Sequence, residues 1–188
     1  MTCSNLAATP RAALAVGPAN YADQAHRWAH AVRAHTPHDA WSFTFGEGSP
    51  TGTFQFEADR FIGSGTRYTA WGRAARADAA LAGATHVALD GFERLYGWPR
   101  LGSTKRDARR LRRRGLQVAL VAHGSDVRDP AHHRERNRHS YFAAAEPLYL
   151  RRLTSVASRN RALAQRSGLP VFVSTPDLLW DLPDATWL

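Results

Sequence analysis

Residues 116–122, LQVALVA, constrain the fold of this chain most. The run is strand-length and almost continuously apolar. A strand covered on one face alternates apolar and polar residues, whereas a parallel strand covered on both faces need not. The segment therefore predicts a central strand of an α/β sheet with helices above and below it. Its surroundings agree. Thr104 and Asp107 make a Thr-x-x-Asp helix start, the helix runs to Arg114, and Gly115 is placed to end it. After the strand comes His123-Gly124-Ser125-Asp126, a turn at the strand's carboxyl end.

Similar alternation extends along the chain. Residues 12–16 are a short apolar run that breaks at Gly17-Pro18. Asn20 is a candidate cap for a helix reaching about His35, with Tyr21, Ala25, Trp28, Ala29 and Val32 at helical spacing. Trp41, Phe43 and Phe45 alternate with polar residues and predict a second strand. Residues 46–52 read as a loop, and 53–56 as a short strand. A helix over 66–81 and an apolar run over 85–89 follow, the latter closing at Asp90-Gly91. Later come a helix over 147–166 ended by Gly168, a strand over 171–174, a short helix capped by Thr175, and a strand beginning at Thr186. The expected fold is α/β, a Rossmann-like three-layer domain with a mostly parallel sheet, over residues 11–188 behind a loose tail at 1–10. At 188 residues the chain suits one domain. It has no 20-residue apolar stretch and no basic-then-apolar leader, so the expected compartment is the cytoplasm. Cys3 is the only cysteine, which excludes an intrachain disulfide and a cysteine zinc site.

Charge is divided unevenly. Residues 1–94 are neutral, and residues 95–188 carry the entire net +9. Nearly all of the cations are arginine, which grips phosphate or carboxylate bidentately. The partners this suits are an anionic membrane surface, reached peripherally, or a phosphorylated ligand; a solvated arginine-rich face is the plainer alternative. No aromatic stacking pattern or nucleic-acid motif accompanies the cluster at 105–114, so nucleic acid is not the expected partner.

In parallel sheets ligands sit at the carboxyl ends of the strands. That rule selects the loops after Val16, Leu89, Ala122 and Val173. The candidate binding residues are Gly17, Pro18, Asn20, Asp90, Gly124, Ser125, Asp126 and Ser174, and the candidate catalytic residue is His123. An imidazole there suits a base or a hydrogen bond to a hydroxyl, or else it is a satisfied interior histidine. The turn at 17–20 opens a helix, whose free amides attract anions, or it is simply a tight turn. It lacks the G-x-G-x-x-G pattern of dinucleotide binding. His132, His133 and His139 raise metal binding, but their interleaved charges fit a solvated loop or short helix, and no metal is expected. Neither a G-x-S-x-G elbow nor a G-x-x-x-x-G-K-[ST] loop is present. A small hydrolase using His123 and Asp126 would lack a nucleophile motif.

Three segments together resemble family-4-type glycosyltransferases of the GT-B fold. AVGPANYADQAHRWAHAVR (15–33) is similar to their first strand, loop and helix. LRRRGLQVALVAHGSDVRDP (111–130) is similar to their middle strand and the histidine-bearing loop after it. SRNRALAQRSGLPVFVSTPDLLWDLPDATWL (158–188) is similar to the end of their N-terminal domain. The resemblance implies an acceptor-side domain that works with a second, donor-binding one and transfers a sugar from a nucleotide-sugar to an acceptor without a metal or other cofactor. It implies that Gly17 and its neighbours approach the donor phosphate, with His123 near the transferred sugar and Asp126 beside it. No match exists for the family's C-terminal donor motifs, so a chain of this extent is expected not to transfer sugar by itself. The alternative is a free-standing Rossmann-like module for an anionic partner: a phosphorylated ligand, a lipid headgroup or nucleic acid.

Overall fold

The structure is a computed structural model that describes residues 11–46, 56–63, 70–96 and 103–188. Among these residues the sheet has seven strands, all parallel: β1 (Ala13–Gly17), β2 (Asp39–Phe45), β3 (Arg60–Ile62), β4 (His86–Asp90), β5 (Gln117–Ala122), β6 (Val171–Val173) and β7 (Thr186–Trp187). Their order is β3-β2-β1-β4-β5-β6-β7. This is the Rossmann-like doubly wound arrangement, in which the chain turns back between β1 and β4 and opens a crevice at their carboxyl ends. The helices are α1 (Gln24–His35), α2 (Ala70–Ala80), α3 (Thr104–Arg113), α4 (Pro130–Arg136) and α5 (Pro147–Ser167).

LQVALVA lies at the heart of this sheet, between β4 and β6. On one face of the sheet Ala15, Leu89, Val118 and Leu120 pack with Leu111 of α3 and Ala164 of α5 in the main core. On the other face α1 packs over β1 and β2. Beside it an apolar cavity of about 590 Å³ runs over Leu14, Val16, Ala119, Val121 and Phe172, with Trp28 at its edge. Helices therefore flank the sheet on both sides, making three layers.

Several expectations need correction. The strand read at 53–56 falls mostly outside the described residues, and Phe56 is not in a strand; the third strand is β3, only three residues long. The first four residues of the helix read at 66–81 also fall outside them. Asn20 does not start α1. It is left-handed (φ 47°), a 3-10 turn over Tyr21–Asp23 intervenes, and its Oδ1 accepts from the amide of His26 inside the helix. Ser103, not Thr104, caps α3, its side chain accepting from Arg106 N. The buried Thr104 hydroxyl donates to the Phe92 carbonyl instead, and Asp107 accepts from Leu95 and Tyr96 amides across the loop. The four-residue spacing was real, but both side chains serve tertiary contacts.

Leu120 is fully buried and Leu148 is 65% exposed. Leu120→Ala is expected to cost about 2–5 kcal/mol in chemical denaturation, while Leu148→Ala should stay within about 0.5 kcal/mol of wild type.

Candidate functional site

The crevice at the carboxyl ends of β1, β4 and β5 is organised by one carboxylate. Asp90 ends β4 and is completely buried. Its Oδ1 accepts from the Ala19 amide at 2.6 Å and its Oδ2 from the Asn20 amide at 2.7 Å. The amides that the sequence offered to a ligand's phosphate thus already hold an anion from within the chain. Charge-assisted bonds of this length are strong. They fix the β1–α1 loop, whose Gly17–Pro18 peptide is cis. Gly17 is required by packing, because a Cβ there would overlap the Phe43 carbonyl oxygen. Asn20 is buried as well, with its Nδ2 donating to the Glu57 carbonyl.

This loop and the start of α1 deliver three side chains to His123. The imidazole stacks on Trp28 (5.6 Å between centroids, 8° between planes) and meets the edge of Tyr21 (5.3 Å, 83°). Its Nδ1 lies 2.7 Å from Gln24 Oε1. The amide oxygen only accepts, so Nδ1 carries the proton. The ring's Nε2 points toward the Asp90 carboxylate. That atom is buried, has no hydrogen-bond partner, and lies 3.5 Å from Asp90 Oδ2. The His123 side chain is only 8% exposed. The Tyr21 phenol is pushed up to about 12 by burial and then by the negative charges of Glu93, Asp126 and Asp90. It therefore stays neutral, and the ring, 46% exposed, forms the outer wall over His123.

The turn after β5 is closed by Asp126. Its carboxylate accepts from the His123 amide (3.0 Å) and the Gly124 amide (2.6 Å). Asp126 thus shapes the turn and does not bond the imidazole, so the His123–Asp126 hydrolase pairing is not made. Gly124 is covered by Arg128, which donates to Asp177 Oδ2 through Nε (3.0 Å) and Nη2 (2.6 Å). Ser174 Oγ donates to the His123 carbonyl at 3.3 Å, and Ser125 is exposed. The structure therefore brings His123, Asp90, Asn20, Gly124 and Asp126 together, with Gly17, Pro18 and Ser174 supporting the loops. Among them His123 Nε2 is the polar side-chain atom left unbonded.

Sequence reasoning missed Tyr21, Gln24 and Trp28 as partners of His123, although Tyr21 and Trp28 sit on the helical periodicity it had noticed. It also missed a Ser42–His26–Asp59 grouping. Ser42 Oγ, fully buried, donates to Asp59 Oδ2 at 2.8 Å, and His26 Nδ1 lies 3.2 Å from Ser42 Oγ. Because Ser42 gives its proton to the carboxylate and not to the imidazole, these residues tie β2 to the segment before β3. The histidines at 132, 133 and 139 face three different partners: Asp181, Ser140 and Arg138. Among the described residues no group of three or more His, Cys, Asp or Glu side chains could hold a metal. No helix there is long and apolar enough to cross a membrane.

No protein-family model matches the chain, and neither does any curated protein.

Three carboxylates held below their ordinary value carry acid sensitivity. Burial alone would raise Asp59, Asp129 and Asp177, but hydrogen bonds and the guanidinium groups of Arg33, Arg161 and Arg128 hold each below its ordinary 3.8. Such groups stabilise the fold fully above the unfolded value, and the contribution is lost as pH falls through the lower folded value. Asp107 works the other way, because burial raises it. The melting temperature is expected to hold down to the ordinary carboxylate range and to fall below it. Asp177→Asn should make that fall shallower, and an unchanged acid limb in this variant would contradict the pairing.

Proposed function

We propose that the chain is the acceptor-side domain of a GT-B-type glycosyltransferase, which moves a sugar from a nucleotide-sugar to an acceptor with the help of a donor-binding domain. The observation that carries this reading is the unbonded Nε2 of His123 at the switch-point crevice. Buried polar atoms are nearly always bonded, so one left open beside a crevice is a sign of a missing ligand group. With Nδ1 committed to Gln24, Nε2 is the ring atom left to meet a ligand hydroxyl. Sugars and their acceptors are hydroxyl-rich. The strand order, the position of His123 directly after β5, and the order of the three segments that resemble the family support the same reading. Tyr21 is the side chain a ligand has to displace. Catalysis in this reading takes place between two domains in the cytoplasm.

The donor phosphate has a smaller role for the 17–20 loop than the resemblance implies. Asp90 already occupies the Ala19 and Asn20 amides, and its negative charge faces the same space. In the proposed enzyme the loop positions Tyr21, Gln24 and Trp28 around His123, and the donor's charge is met from the partner domain.

The test is donor consumption by the natural gene product over a panel of nucleotide-sugars. His123→Ala is expected to lower kcat by about 100-fold or more, with the fold intact by circular dichroism. Turnover unchanged in that variant would remove His123 from the reaction, and no consumption of any donor would count against the transferase reading.

A further inference from the structure

Among the described residues of the basic half, two groups of cations stand apart. Arg110 and Arg114 of the α3 region turn to Asp78 of α2, and Arg110 also stacks on Tyr96. Arg161 of α5 pairs with Asp129 and Asp181, and Arg128 with Asp177. These cations are neutralised inside the fold. Lys105, Arg109 and Arg112 are not. They follow one another at i, i+4 and i+7 along α3, on one stripe of the helix. With Arg166 and Ser167 of α5 they line a groove of about 140 Å³. Arg159 and Arg152 stand one and two heptads before Arg166, which extends the stripe along α5. All six cations are exposed, and none has an ion pair among the described residues. α5 has five arginines and no acidic residue along its 21 positions.

We propose that the face formed by α3 and α5 is a docking surface for an anionic lipid bilayer. Uncompensated charges on two adjacent helices repel one another and gain by facing an external array of anions. Phosphate headgroups supply such an array, and bidentate arginine contacts suit them. The first turn of α5 favours a bilayer over nucleic acid. There Leu148 and Tyr149 are 65% and 52% exposed, beside Arg151 and Arg152. Apolar and aromatic side chains flanked by arginine match the boundary between headgroups and acyl chains. The binding is peripheral and electrostatic. This inference stands on charge placement and is independent of the transferase reading.

The test is co-sedimentation of the chain with phosphatidylcholine vesicles containing phosphatidylglycerol, against pure phosphatidylcholine. Binding is expected to the mixed vesicles alone and to weaken steeply with salt. Each arginine near an anionic surface is worth about fivefold in partitioning, so Arg109→Gln, Arg112→Gln and Arg166→Gln together should lower it by about 100-fold. The control of equal charge, Arg11→Gln, Arg27→Gln and Arg134→Gln, places no change on α3 or α5 and should lower it far less. All the substituted side chains are exposed, so both variants are expected to melt with the wild type. Equal loss in the control, equal binding to pure phosphatidylcholine, or no vesicle binding while an oligonucleotide binds at the same salt would each overturn the proposal.

Discussion

The bond between the Asp90 carboxylate and the amides of Ala19 and Asn20 is the interaction on which the crevice depends. It joins the end of β4 to the loop after β1, across the place where the strand order turns back. A buried carboxylate needs strong donors, since an unpaired charge in that position is very costly. Two short charge-assisted bonds supply them. Once that loop is held, Tyr21, Gln24 and Trp28 are set around His123, and the orientation of the imidazole follows from Gln24. The same carboxylate uses up the two amides that make such a loop attractive to phosphate. A fold that usually presents an anion site here presents an imidazole nitrogen instead.

The features legible in the sequence were those written in local pattern. The continuous apolar run of β5, the alternation in β2 and the glycine after α5 each reflect a rule that operates within a few residues, and each is found in place. His123 was legible because it directly follows β5. The roles of Asp90, Asn20 and Asp107 were not. Each side chain bonds a backbone group well away in sequence, an amide for Asp90 and Asp107 and the Glu57 carbonyl for Asn20, so nothing nearby announces the partner. β3 was missed for a different reason: three residues are too short to show a period. Asp126 was legible as a turn residue, and its bonds to the His123 and Gly124 amides agree with that plain reading rather than with a catalytic one.

The arginine excess is likewise two phenomena that composition merges. One set braces the fold by pairing with Asp78, Asp129, Asp177 and Asp181. Another, among the described residues, faces outward from α3 and α5 without a counter-charge. Net charge reports their sum, and the geometry separates them. The crevice lies at the carboxyl ends of the strands, while the unpaired cations cover the outer surface of one helical layer. A bilayer on that surface leaves the crevice open.

The claim that the crevice receives a ligand on His123 Nε2 is tested most directly by long-range proton–nitrogen NMR spectra of the histidine rings. These would be recorded during titration with nucleotide-sugars and simple glycosides. The free state is expected to keep the Nδ1 proton on Gln24 Oε1. On binding, the Nε2 resonance should shift while Nδ1 keeps its bond to Gln24. Ligand binding that leaves the His123 Nε2 resonance unmoved would contradict the claim.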